Sequence, residues 1–187
     1  MKKAATRTDN LFSLCGLNCA FCPMRLRGEC GGCGSESLCY LSCQIVHCAA
    51  RHGNIGYCFE CPEYPCEKYE GVDRYDSLIS HRNQKKDMDR AKELGIGQYR
   101  DILLKKRELL DLLLAEYDDG RHDVLFCTAA NLLEPEDLAA VTEQAKQLSP
   151  NVSQGERAAF VEAPRLREKK RRLLSPTQVR RPMLELY

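Results

Sequence analysis

Eleven of the chain's twelve cysteines fall between Cys15 and Cys66, and no other feature of the 187 residues constrains the fold so tightly. They are spaced as Cys15-x3-Cys19-x2-Cys22, Cys30-x2-Cys33, Cys39-x3-Cys43-x4-Cys48 and Cys58-x2-Cys61-x4-Cys66. Three of the intervals are Cys-x-x-Cys, in which two intervening residues let the backbone curl until both sulfurs face one ion. An odd number of thiols in the segment argues against complete disulfide pairing. No export signal is read at the N-terminus, where Met1-Lys2-Lys3 is followed only by a short apolar group at Leu11, Phe12 and Leu14. The expected compartment is the reducing cytoplasm, where such pairs bind metal more often than they form disulfides.

Residues 11–71 show no sustained apolar period, only short apolar groups between Cys, Gly and Pro, so a conventional core is not expected there. Metal ions would supply the missing folding energy. Structural zinc takes four ligands in a tetrahedron, with thiolates at roughly 2.3 Å. Eleven thiols make two such sites with three to spare, or three sites if His47 or His52 joins. The same soft ligands would accept a 4Fe-4S cluster. The candidate ligands are Cys15, Cys19 and Cys22 with Cys30 or Cys33 as one set, and a second set drawn from Cys43, Cys48, Cys58, Cys61 and Cys66. Spacing alone leaves that partition open.

Cys15-Gly-Leu-Asn-Cys19-Ala-Phe-Cys22 also fits the three-cysteine pattern that holds the cluster in radical S-adenosylmethionine enzymes. Those enzymes need a partial β/α barrel after the motif, whereas eight more cysteines and then helices without strands follow here.

Cys15-Gly-Leu-Asn-Cys-Ala-Phe-Cys-Pro23, Cys30-Gly-Gly-Cys33, Cys43-x-Ile-x-x-Cys48-Ala and Cys58-Phe-Glu-Cys61-Pro-Glu-Tyr-Pro-Cys66-Glu-Lys resemble a cysteine-rich family of small bacterial and archaeal proteins, domain-of-unknown-function family three-seven-nine-five. The Cys-x-x-Cys-x-x-Tyr-Pro-Cys ending is its most specific piece, and the resemblance covers roughly residues 13–71. It implies a zinc-binding module without an assigned activity. Cys39-x3-Cys43 is one residue longer than the Cys-x-x-Cys expected there, which sets Cys39 apart from the other ten candidate ligands.

The rest of the chain reads as helices. Ile96, Tyr99, Ile102, Leu103, Leu109, Leu110, Leu113, Leu114 and Tyr117 recur at helical steps over about 20 residues, after a polar stretch at 82–89. Gly120 is placed to end this helix. A second apolar segment runs from 124 to 133. Pro135, Glu136 and Asp137 open a third helix, which carries Leu138, Val141, Ala145 and Leu148 on one face. Ser153-Gln-Gly-Glu156 is a capping-box pattern ahead of a fourth helix. The expected fold is mainly α: a metal-stabilised N-terminal module of short helices and knuckles with little strand at 11–71, packed on a small helical bundle at 72–162, with a basic helix and tail at 163–187.

Whole-chain charge is +1, which favours neither polyanion nor polycation partners. Residues 150–187 are the exception, with nine basic groups against four acidic. Their run Arg165, Arg167, Lys169, Lys170, Arg171 and Arg172, with Arg180 and Arg181, allows nucleic-acid binding through 165–181. A solvated helix or tail is the plainer reading. No apolar run reaches the roughly 18 residues of a membrane span. Cys127 is expected in the core, Arg121 at a helix end, and His81 and His122 in solvated or capping roles without a carboxylate partner. No catalytic triad, phosphate loop or dinucleotide fingerprint occurs. The leading expectation is a non-catalytic zinc protein with two or three structural ions and a protein partner. The alternatives are an iron–sulfur electron-transfer or redox-sensing protein and a nucleic-acid binder.

Overall fold

Cysteine, glycine and proline recur too often in the first third of the chain for a long helix to form, and short turns result. The computed structural model describes residues 7, 9, 11–34, 37–148 and 151–162. In its first part, 3₁₀ turns at Cys19–Phe21, Tyr40–Ser42, Cys58–Glu60 and Glu67–Tyr69 alternate with two short helices, α1 (Pro23–Leu26) and α2 (Gln44–Arg51). Pro23 opens α1, where its missing N–H costs nothing. The Val46 amide donates to Cys43 Sγ at 3.4 Å, so a cysteine caps α2.

Five longer helices follow: α3 (Gln84–Leu94), α4 (Ile96–Tyr117), α5 (Asp123–Leu132), α6 (Pro135–Lys146) and α7 (Gln154–Glu162). Among the described residues there is no strand, and the architecture is mainly α. The central element is α4, which packs against α3, α5, α6 and α7. Its buried side chains are Tyr99, Leu103, Lys106, Leu110, Leu113 and Tyr117, largely the face that the periodicity predicted. The capping box of α7 is formed: Ser153 N donates to Glu156 Oε2 at 3.0 Å and Glu156 N to Ser153 Oγ at 3.3 Å. Glu134, just before α6, receives Lys86 and Arg90 from α3 at 2.7 Å each.

Two expectations change. The polar stretch at 82–89, read only as what precedes the long helix, carries the first turns of α3. Its inward face is Gln84, Asp87, Met88 and Ala91, a proper helical spacing disguised by two polar side chains. The cysteine-rich segment also contributes to the core: Phe12, Leu14, Ala20, Phe21, Val46 and Ala49 are buried and continuous with Met88, Tyr99, Leu103 and Phe126. Phe12 meets Tyr99 edge-on with ring centroids 4.8 Å apart. The module and the bundle therefore share one apolar core.

Before Leu11, the described residues Arg7 and Asp9 are both anchored. Asp9 accepts from the amides of Leu11 and Phe12 and from the Tyr57 hydroxyl. Arg7 donates to the carbonyls of Gly56 and Phe12 and covers the Tyr57 ring.

Gly16 shows how closely the two parts meet. Its φ is +95°, and a Cβ there would sit 2.6 Å from the Gln84 carbonyl oxygen of α3. Gly16→Ala adds left-handed strain to a backbone clash, and is expected to cost about 2–3 kcal/mol in denaturant unfolding. A cost below about 0.5 kcal/mol would mean that the Cys15 loop is not held against α3.

Candidate metal centre

A thiol is a metal ligand only as the thiolate, so the site is defined by which sulfurs converge and what stabilises their charge. All twelve cysteines are free of disulfides. The eleven in the N-terminal module form one set around Cys15, Cys19, Cys33 and Cys43 and a second that lines a pocket, and Cys58 of the second set also lies within electrostatic reach of Cys15 and Cys43.

The first group is built from the Cys15 loop, the Cys19–Phe21 turn, the start of α1, the 30–33 loop and the approach to α2. Cys15 lies within electrostatic reach of Cys33, and Cys19 of Cys33, Cys15, Cys22 and Cys39. Cys22 lies within reach of Cys30 and Cys39, and Cys43 of Cys15 and Cys39. Of the predicted first set, Cys15 and Cys19 lie within electrostatic reach of Cys33, and Cys22 within reach of Cys30. Cys43, which the spacing assigned to the second set, stands here as well, because Cys43 ends the Tyr40–Ser42 turn and faces back toward Cys15. Cys39 is exposed, yet lies within electrostatic reach of Cys19, Cys22, Cys33 and Cys43.

Burial pushes the Cys15 and Cys43 thiols up to about 12 and the Cys33 thiol to about 11, and neighbouring thiols add to the rise. Donors work in the opposite sense. The Leu17 amide faces Cys15, those of Met24 and Arg25 face Cys22, that of Leu14 faces Cys33, and those of Val46 and Ile45 face Cys43. Arg7 also favours the Cys33 thiolate. Amide donors aimed at crowded, buried sulfurs fit a bound cation, which would offset the desolvation and the mutual repulsion of the thiolates.

The second group lines one open pocket, walled by Ile45, Ala49 and Ile55. Cys48 reaches it from α2, Cys58 and Cys61 from the two ends of the Cys58–Glu60 turn, and Cys66 from the start of the Glu67–Tyr69 turn. The turn closes through Cys61 N donating to the Cys58 carbonyl at 3.0 Å, and the Cys58 amide is pinned to the Leu14 carbonyl at 2.9 Å. Burial pushes the Cys58 thiol to about 11, while the Tyr69 hydroxyl donates to the Cys15 carbonyl at 3.1 Å. Lys68 faces Cys48 and Cys66. His52 lines the same pocket, whereas His47 packs on the Tyr40 ring at 5.1 Å.

Two aromatics, Tyr64 and Tyr69, line this pocket and pack edge-on at 5.0 Å. Tyr57 and Phe59 instead stack on each other at 5.3 Å, and Tyr57 continues onto Phe12.

Among the described residues, one group of three or more His, Cys, Asp and Glu ligand atoms lies within 4.8 Å of one another, and it is Asp118, Asp119 and His122. No three cysteine sulfurs approach that closely. The Asp118 cluster is a turn held by its own hydrogen bonds. Asp118 Oδ1 accepts from the Gly120 and His122 amides, and Asp119 binds Arg121 and His122 Nδ1, the latter at 2.6 Å. His122 and Arg121 therefore do have a carboxylate partner. His81 bonds Asp76 Oδ1 through its backbone amide, at 3.0 Å, while its ring Nε2 lies 2.7 Å from Ser77 Oγ. Cys127 is buried in α5, as expected of a core cysteine. The basic run at 165–181 lies outside the described residues. No described helix is long and apolar enough to cross a membrane.

Sequence reasoning missed a buried polar network beneath the first group. Asn18 Nδ2 donates to Asp87 Oδ2 at 2.7 Å and to Asn131 Oδ1 at 3.2 Å, and Tyr99 Oη donates to Asn18 Oδ1 at 3.0 Å. Asn18 lies between two cysteines in a turn, where a polar residue gives no signal of burial.

Comparison of the chain with protein-family models, curated proteins and solved structures finds no match.

Proposed function

We propose that this is a metal–thiolate protein, in which ions held by the two cysteine groups fix residues 11–71 onto the helical bundle. One observation carries the reading: Cys48, Cys58, Cys61 and Cys66, from one helix and two separate turns, converge on one pocket. Amide donors facing Cys15, Cys22, Cys33 and Cys43 support it. Zinc is the ion that the family resemblance implies, and its role here is structural. The ten ligands of the reading are Cys15, Cys19, Cys22, Cys30, Cys33, Cys43, Cys48, Cys58, Cys61 and Cys66, with Cys39 at the edge of the first group. A reducing compartment such as the cytoplasm suits thiols that remain unpaired. The surface beside the first group, where Leu38 and Leu41 are exposed, suits a protein partner.

The test is elemental analysis with a visible spectrum on protein purified without oxygen and without added metal. Two or more metal ions per chain are expected. A chain free of zinc and iron, with all its thiols open to alkylation, would sink the reading.

A further inference from the structure

We propose that Ser77 and His81 form a nucleophile–base pair, at which the Ser77 hydroxyl accepts an acyl group from a small activated ester. The pair lies in the segment between the Glu67–Tyr69 turn and α3, beyond the last cysteine of the module, and its chemistry uses no thiol.

The contact itself carries the argument. Ser77 Oγ stands 2.7 Å from His81 Nε2, inside the range of roughly 2.6–3.2 Å at which a side-chain base takes a nucleophile's proton. The Val72 carbonyl acts on the same ring as an acceptor. With Nε2 turned to Ser77, the proton that this carbonyl attracts is the one on Nδ1, and Nε2 is left to accept from the hydroxyl. Burial lowers the imidazole below its ordinary 6.5, against the Asp76 charge and the Val72 carbonyl, so the ring is neutral and able to take a proton near pH 7.

The base is held in place from several directions. Asp76 Oδ1 accepts from the His81 amide at 3.0 Å and from Ser80 Oγ at 2.9 Å, which closes the bend that contains Ser77. The Gln84 amide at the start of α3 donates to the His81 carbonyl at 2.9 Å. From α5, Asn131 Nδ2 donates to the Ser80 carbonyl at 2.9 Å. Ser77 itself is exposed, where an incoming ester meets it.

In the step, the Oγ–H proton passes to Nε2 as Oγ bonds the carbonyl carbon. The ester's C–O bond then breaks, and Nε2–H returns the proton to the departing oxygen. A single base on an open surface leaves the donor to supply its own good leaving group, which selects activated esters over amides.

The test treats the full-length protein with a serine-directed fluorophosphonate, in which Oγ bonds phosphorus, fluoride leaves and Nε2 takes the proton, and maps adducts by mass spectrometry. Ser153 is the internal reference, an exposed hydroxyl that bonds the Glu156 carboxylate in place of an imidazole. Ser77 is expected to label about 100-fold faster, the lower end of what a positioned base contributes. His81→Gln should bring Ser77 down to the Ser153 rate with the helical circular dichroism unchanged. In the wild-type chain the Ser77 rate should rise with pH through a midpoint below 6.5 and then level off, as a neutral imidazole base requires. That profile decides even if the variant does not fold. Treatment with 4-nitrophenyl acetate should leave an acetyl group on Ser77 Oγ. Equal labelling of Ser77 and Ser153, or a rate that climbs with pH without levelling, would overturn the pair. Full-rate labelling in folded His81→Gln would remove the base from it. A Ser77 that takes the phosphonyl group but no acetyl group would overturn the ester as its substrate class.

Discussion

Stripping metal from the reduced protein is expected to abolish amide protection across residues 43–69 while residues 103–114 of α4 stay protected. The argument is one of magnitude. Ordering the backbone costs about 1–2 kcal/mol per residue. Against that, this segment buries mainly Val46, Ala49, Ala50, Cys58 and Tyr69. A fully buried large apolar side chain contributes about 1.5–3 kcal/mol, and alanine much less. The eight residues of α2 are also fewer than the roughly 12–15 that an isolated helix needs in water. Thiolate-bound structural ions contribute on the order of 10–16 kcal/mol, far more than any one of those side chains. The helix α4 has no such need, because Leu103, Leu110 and Leu113 are almost wholly enclosed by α3, α5, α6 and α7.

Hydrogen exchange read by mass spectrometry, with and without chelator under reductant, checks this. Residues 11–22 should behave in between, since Phe12 and Phe21 are anchored in the shared core. Unchanged protection at 43–69 would show that the metals are not structural. Uniform loss through α4 would show that they hold the whole core.

How much of this was readable from the chain depends on which physical signal each element carries. The face of α4 repeats at helical steps and buries as its period implies. By contrast, α3 has the same spacing, but Gln84 and Asp87 occupy buried positions, and a polarity pattern cannot reveal a polar side chain satisfied only by partners distant in sequence. Gln84 Nε2 donates to the Cys15 carbonyl at 2.9 Å and Asp87 receives Asn18, each 69 positions away. The core contribution of Phe12, Leu14 and Phe21 was hidden for another reason. They sit singly in turns, so no period forms, and only the tertiary arrangement shows that they meet Tyr99 and Met88. In the site, local pairs such as Cys19 with Cys22 and Cys58 with Cys61 follow from spacing, because a knuckle is a local structure. The placement of Cys43 beside Cys15 and Cys33 does not, since it depends on how the Tyr40–Ser42 turn folds back.

The buried network at Asn18 leads to the second large effect. Asn18→Ala is expected to destabilise the metal-loaded protein by about 3 kcal/mol or more, because it strips one buried carboxylate and two buried neutral groups of a partner together. The group left most exposed to that loss is Asp87. Burial raises its carboxyl from 3.8 to about 6, while Lys106 and the hydrogen bonds from Asn18 and Tyr99 oppose the rise. Burial likewise lowers Lys106 to about 8, against the pull of Asp87.

The two signs differ. A raised carboxyl contributes stability fully below 3.8, and that contribution is lost as pH climbs through about 6. A depressed amine contributes above 10.5 and loses that contribution as pH falls through about 8. Between about pH 4 and pH 7, therefore, the amine keeps its proton and only Asp87 titrates. Without Asn18 the ionised carboxylate has lost a donor that the protonated form needs less. The cost of Asn18→Ala should accordingly be larger near pH 7 than near pH 4, with the change falling mostly between those values. Denaturant unfolding of both proteins at the two pH values, with metal content checked at each, reads the difference. Equal costs at both would mean that Asp87 does not depend on Asn18. A cost under about 1 kcal/mol would mean that the cysteine module is not held on the bundle through this network, and that the shared apolar core around Phe12 and Phe21 fixes it alone.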